Sequence, residues 1–263
     1  MTRAAVLLAL ALVAGACDDA FEPRVDDGRA FAVFGTLDGR TDRQVLRVQD
    51  LTSSVFEVPD RPGVTVSSTE LTSGRTTAWR DSAVTLADGV RALVFVATLA
   101  VAPGEVHRVD VVRDDGARST ATVRLPAPAV SASPVAASTA ARLDLADLGG
   151  RLVGPAVRYR VRRPDGTGDV SFATTVAPQE GSGGSAFLVF LDAAKVQATT
   201  LLFGSASGDP VLTETRFEGV VVSAEPSPVA DGVGGVGWAV PVSLAIPFPV
   251  ESLTRVGFVD GRG

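Results

Sequence analysis

Val106-His-Arg-Val-Asp-Val-Val-Arg113 and Arg118-Ser-Thr-Ala-Thr-Val-Arg-Leu125, joined through Asp114-Asp115-Gly116-Ala117, decide the fold class. Each run alternates apolar and polar side chains with a period of two, as a half-buried strand does. Between them Gly116 accepts a positive φ and the aspartates tolerate one, so the stretch is predicted to be a β-hairpin.

The pattern recurs upstream. Phe31 to Phe34 and Gln44 to Val48 flank the polar turn Leu37-Asp38-Gly39-Arg40. Val64 to Val66 and Arg75 to Trp79 flank Thr72-Ser73-Gly74, while Val84 to Leu86 and Arg91 to Val96 flank Asp88-Gly89. About seven or eight short strands in roughly 100 residues, with turn signals about every 8–12 and no helical periodicity, predict an immunoglobulin-like β-sandwich over residues 30–125.

Downstream, Pro126-Ala127-Pro128 and Ser131 to Pro134 break the alternation, so residues 126–140 are expected to be a linker. A second, less regular β-rich sandwich domain is expected over 141–263, giving an all-β chain with at most one short helix. Val157 to Arg162 alternates, turns at Pro164-Asp165-Gly166 and returns over Val170 to Val176. Further strands are expected at Phe187 to Leu191, Val211 to Phe217, Gly219 to Ser223, Val236 to Val242 and Arg255 to Val259. The helix is expected over Ala193 to Ala198, capped by Asp192. Pro226, Pro228, Pro241, Pro247 and Pro249 are expected to confine the late strands to edges or bulges.

The N-terminus carries an address. One basic residue, Arg3, precedes an unbroken apolar segment from Ala4 to Val13, and Ala14-Gly15-Ala16 supplies a small-residue cleavage site. Ten apolar residues are too few to cross a bilayer, which needs about 20. Residues 1–16 are therefore read as a removable export signal. The next residue, Cys17, is the sole cysteine of the chain, so there is no internal disulfide. Its position resembles the bacterial lipoprotein box, in which the thiol receives a diacylglyceryl group and becomes the lipid attachment site. Ala14 departs from that pattern, where Leu is commoner. A plain secreted protein with a free or intermolecularly paired thiol is the other reading. With two or more acyl chains the attachment would be stable. Asp18 and Asp19 beside the lipid are candidate sorting residues, and residues 17–29, with Glu22, Asp26 and Asp27, read as a tether.

Removing residues 1–16 leaves 23 basic and 30 acidic side chains, a net charge of −7 that disfavours nucleic acid as a partner. The chain has one Lys, one Ile, one Tyr and no Asn, the usage of a GC-rich genome, so the abundance of arginine is weak evidence for arginine-specific chemistry.

The layout resembles a family of lipoproteins classed as a domain of unknown function. The resemblance is carried by the lipoprotein box with Asp18-Asp19, the first strand Phe31-Ala-Val-Phe-Gly35, a sandwich ending near Pro126 and the run Gly232-Val-Gly-Gly-Val-Gly-Trp238. It implies an outer-membrane lipoprotein of a Gram-negative bacterium, of a family often encoded beside TonB-dependent transporters. It implies a location and a partner, not a reaction.

Residues of catalytic or binding type have bland readings beside them. Gly232, Gly234 and Gly237 match the dinucleotide fingerprint, but that loop needs a helix whose N-terminus meets the pyrophosphate, and Pro241, Pro247 and Pro249 oppose one. His107 is the only histidine, lies within a predicted strand, and no Gly-x-Ser-x-Gly elbow accompanies it. One His and one Cys cannot build a histidine-rich or cysteine-rich metal site, and the Asp26-Asp27 and Asp114-Asp115 pairs lack the alternating acids of a calcium loop. Arg158, Arg160 and Arg162 project from one strand face and suit either phosphate groups or ordinary solvation. Trp79 and Trp238 lie in strands, more as core than as sugar platforms. No catalytic residue, metal or cofactor is implied. The expectation is a non-enzymatic, lipid-anchored envelope protein that docks another envelope protein such as a transporter, with a surface module for a glycan or small ligand as the alternative. A hydrolase would need a cluster of carboxylates in one cleft.

Overall fold

The computed structural model describes residues 28–52, 63–85, 91–180, 185–202 and 208–262. The first hairpin forms as its alternation requires: β1 (Phe31–Asp38) pairs antiparallel with β2 (Arg43–Asp50). In β2, Gln44, Leu46 and Val48 are buried while Arg43, Val45 and Arg47 are exposed, so the period of two puts one face inward. β2 pairs with β6 (Arg91–Thr98), and β6 with β5 (Arg80–Thr85). The facing layer has the order β4 (Thr76–Ala78), β3 (Val64–Glu70), β7 (Val106–Arg113), β8 (Arg118–Arg124). The β7–β8 hairpin turns at Gly116, whose φ is +91°, and Asp115 Oδ1 accepts the Ala117 N–H at 3.0 Å. Leu46 and Phe95 from one layer and Val66, Val109 and Val123 from the other belong to one buried core.

Both lateral edges of this sandwich are closed by a strand that changes layers. β4 and β5 are consecutive in the chain, yet β4 pairs with β3 and β5 with β6. Trp79, the residue between them, is buried and donates its indole N–H to Ser68 Oγ at 3.0 Å. The other edge is closed by the far end of the chain. β15 (Ser227–Ala230) pairs with β8 through Val229 and Ala230 and with β16 (Gly232–Ala245) through Ser227 and Pro228. β16 then runs parallel to β1, from Phe31 opposite Gly232 to Asp38 opposite Ala239. At the turn between β15 and β16 the Asp231 carbonyl accepts the Ala30 N–H at 3.1 Å and the Ser119 hydroxyl at 2.6 Å, joining β1, β8 and β16 at one point.

The C-terminal part of β16 pairs with β14 (Val211–Ser223), which pairs with β11 (Gly150–Arg162), and β11 with β12 (Asp169–Thr175). The stretches expected as residues 30–125 and 141–263 thus contribute strands to one continuous sheet. Pro155 falls at a register shift in β11, where a missing N–H is tolerated. Against this sheet packs a three-stranded layer of β9 (Ala129–Pro134), β10 (Ala140–Ala146) and β13 (Ala186–Phe190), so the segment 126–140 expected as a linker contains a paired strand. Its polar alternation marks an edge strand, which β9 is. Tyr159 stacks on Phe172 at 5.2 Å and Phe187 meets Phe217 at 5.7 Å between the layers.

The expected helix is present as α1 (Leu191–Leu201), but Asp192 is not its cap. Phe190 occupies that position without a side-chain cap, and Asp192 in the first turn accepts the Thr139 hydroxyl instead. A second short helix, α2 (Val250–Val256), lies where a strand is expected at its C-terminal end. Pro249 immediately precedes it with a φ of −60°, suited to starting a helix, and Gly257 ends it at φ +80°. Only Val259–Asp260 is strand, β17, paired parallel to β14. Pro241 sits inside β16, at a point where one side of the strand is open. It lies two residues beyond the last β1 partner, Ala239, where its missing N–H costs no bond to β1.

Candidate functional site

The anchor residues Cys17, Asp18 and Asp19 lie outside the described residues, as do Asp26, Asp27 and the Asp88-Gly89 turn. The remaining candidates have defined places. Gly232 to Trp238 is a strand, not a loop before a helix. Its glycines admit close neighbours: a Cβ on Gly234, whose φ is +91°, would stand 2.7 Å from the Phe34 ring, and one on Gly235 would stand 2.7 Å from Pro226 Cβ. The run resembling a nucleotide fingerprint is therefore a packing feature.

His107 is fully buried. Its Nε2–H donates to Glu105 Oε2 at 2.9 Å, and the same oxygen accepts the Ala102 N–H at 2.9 Å. Nδ1 has no partner. A general base has to come within about 3 Å of the proton it takes, and a ring with no exposed atom offers substrate no approach. The two indoles are likewise interior, Trp79 at 6% and Trp238 at 7% exposure. Trp238 covers Gly149 and Gly150 at the junction of the two halves. No aromatic platform of the kind that stacks on sugars is built from either.

Arg158, Arg160 and Arg162 do share one exposed face, and each is ion-paired: Arg158 with Glu218 at 3.0 Å, Arg160 and Arg162 with Asp169 at 2.7 and 3.3 Å. Two carboxylates from the neighbouring strands, Glu218 and Asp169, thus offset most of the charge of the stripe. On the outer face of β7 and β8, burial pushes the Asp110 carboxyl up, but hydrogen bonds from Arg118, Arg108 and Thr120 outweigh it and hold the group below the usual carboxylate range. Among the described residues no group of three His, Cys, Asp or Glu is placed to hold a metal ion.

Two depressions among the described residues are not marked by the sequence. A cleft of about 370 Å³ opens between the end of β12 and the β13–α1 junction, lined by Tyr159, Thr174, Leu188, Phe190 and Ala193. Burial raises the Tyr159 phenol to about 12, opposed by its hydrogen bond with Thr174, so the cleft is uncharged at neutral pH. On the exterior of α1, Val196 is 68% exposed and Leu201 47%, beside a groove lined by Lys195, Val196, Thr199 and Thr200. Lys195 itself is turned to Asp209, the Gly257 carbonyl and the Phe258 ring, leaving that helix face apolar.

No protein-family model matches the chain, and no curated protein matches it. Among solved structures it is similar to a pullulanase complexed with maltotriose from Anoxybacillus sp. LM18-11, at 6% identity over 77% of this chain and 25% of that one, with a TM-score of 0.23. The chain thus spans a quarter of the pullulanase. It is also similar to bovine butyrophilin, at 14% identity over 83% of this chain and 99% of that one, with a TM-score of 0.22. At these TM-scores neither likeness carries an argument about fold or function.

Proposed function

We propose that the chain is a non-enzymatic, lipid-anchored protein of the cell envelope, held at the outer membrane through Cys17, that docks another envelope protein such as a TonB-dependent transporter. The observation that carries the docking part is the exposed side of α1 around Val196, which is 68% exposed beside Thr199 and Thr200, while His107, Trp79 and Trp238 are withdrawn into the core. A convex apolar helix face suits protein contact rather than enclosure of a small molecule. The anchor part rests on the position of the single cysteine after Ala14-Gly15-Ala16.

Gentle solubilisation of native membranes, capture through a C-terminal tag and mass spectrometry test the docking. A stoichiometric envelope protein is expected, and Val196→Asp is expected to lose it. An empty capture, repeated after cross-linking, rejects the reading. A second reading, a binding module for a small uncharged ligand, is favoured by the Tyr159–Phe190 cleft alone.

A further inference from the structure

We infer that the outward face of β1, β2, β6 and β5 lies against an anionic phospholipid surface. The strand register builds this face in two rows. One runs Thr36, Val45, Val96, Arg80, and the other runs Phe34, Arg47, Val94, Ser82. Arg43 stands at the end of the same face, opposite Thr98. Phe34 is 47% exposed and Val45 43%, and Val94 and Val96 are half-buried, so the centre is apolar.

The charge on this face is of one sign and uncompensated. Arg43, Arg47 and Arg80 have no ion-pair partner among the described residues, in contrast to Arg158, Arg160 and Arg162. Asp38, the acidic residue of β1, is occupied by Arg40 at 2.6 Å, and Asp50 at the end of β2 by Arg113 at 2.9 Å. Asp81 alternates to the other side of β5. Three unpaired guanidiniums around exposed Phe and Val match a bilayer interface, where phosphates meet the cations and an aromatic ring enters the headgroup region. Apart from these three arginines the mature chain carries −10, of which −3 lies in residues 17–29; charge more than about 8 Å from the face is screened, so the arginines of the face set the sign where it meets the surface.

The position in the chain favours lipid over a protein partner, and this step rests on the anchor proposed at Cys17. Thirteen residues, 17–29, separate the acyl chains from β1 and in any conformation reach no further than about 45 Å. The first strand delivered to the membrane is β1, and its exposed side is this face. The docking face on α1 belongs to the other end of the chain and remains available.

The test uses residues 17–263 with Cys17→Ser, produced without residues 1–16, so that every described residue is kept and no lipid is attached. Its sedimentation with vesicles of equal parts phosphatidylglycerol and phosphatidylcholine is compared with vesicles of phosphatidylcholine alone. Binding to the anionic vesicles, weakened by salt, is expected. Each arginine near an anionic surface is worth about fivefold, so Arg43→Gln, Arg47→Gln and Arg80→Gln together weaken it by about 100-fold. Phe34→Ser weakens it by about tenfold at unchanged salt dependence. Arg158→Gln with Arg160→Gln, which removes the same kind of charge from paired positions, leaves it unchanged. Absence of binding to the anionic vesicles, or equal binding by the triple variant with an unchanged circular dichroism spectrum, overturns the proposal. Vesicle binding that the triple variant retains while it loses an envelope protein in the membrane capture reassigns the face to protein and also overturns it. Because no lipid is attached, failure here is separate from failure of the anchor, which is read from fractionation of the Cys17→Ser chain in cells.

Discussion

The indole of Trp238 occupies the space that a side chain on Gly150 would need: a Cβ there would stand 2.6 Å from the ring Cη2 and 2.2 Å from the Val222 carbonyl oxygen. Strand β11 can begin beside β14 and β16 because residue 150 has no side chain. Gly150→Ala is expected to destabilise the protein by about 1–3 kcal/mol, the range for an overpacked core, and to lower the thermal midpoint by about 5 °C. Trp238→Ala in the same chain recovers little of this, since the Val222 carbonyl still blocks the methyl. Full recovery in a melting experiment would refute the contact.

Glu70 closes the turn after β3. A hydrogen bond from the Ser73 hydroxyl, followed by those its carboxylate accepts from the Thr72 N–H at 2.8 Å and the Ser73 N–H at 2.6 Å, holds its carboxyl down at about 2 from an ordinary 4.5. A carboxyl depressed in the folded state adds stability above the unfolded value and loses it as pH falls through the folded one. Urea midpoints of the parent and Glu70→Gln should therefore differ at pH 7, converge between about 4.5 and about 2, and coincide below. A gap that persists below pH 2 would mean that the effect is not ionic.

Arg113 at the end of β7 reaches Asp50 at the end of β2 with its Nη1 2.9 Å from Oδ1, and also holds Asp115 at 2.9 Å and the face of Phe31 at 5.9 Å. One guanidinium thereby ties the two layers of the first sandwich. Arg113→Ala is expected to cost about 2 kcal/mol and Arg113→Lys about 1, because lysine keeps the charge and loses the fork. Equal costs in denaturant titration would show that the fork, not the charge, carries the contribution, and no cost for Arg113→Lys would show that the charge alone does.

The partnership of β1 with β16 and of β8 with β15 predicts that residues 28–126 alone do not unfold cooperatively. Appending residues 224–245 through a flexible linker should restore a single transition, by returning the strands that cover both bare edges. A cooperative transition in the short fragment would show the edges to be dispensable.

Local strand order was readable in the sequence and long-range partners were not. The turns at Asp114-Asp115-Gly116 and Pro164-Asp165-Gly166 announce their hairpins because a positive φ at Gly116 (+91°) and Gly166 (+73°) is a local requirement. Nothing near Phe31 marks Gly232 as its neighbour, since parallel pairing of distant strands leaves no turn signal. The burial of His107, Trp79 and Trp238 matches the structural readings weighed for them, whereas the face of Phe34, Arg43, Arg47 and Arg80 draws on three strands whose register only the fold supplies. Arg158, Arg160 and Arg162 look alike in sequence to Arg43 and Arg47. They differ in what the adjoining strands bring within reach, Glu218 and Asp169 in one case and Phe34, Val94 and Thr98 in the other.

The pairing of Phe31 with Gly232 also sets a timetable. Some 200 residues are synthesised between the two partners. At about 5–20 residues per second, β1 waits on the order of 10–40 s for the strand that covers its edge. The part of the chain made first is finished last. Until then its first hairpin is an open template for strangers, and a holding factor, on whichever side of a membrane the chain matures, would find its work at the N-terminal strand.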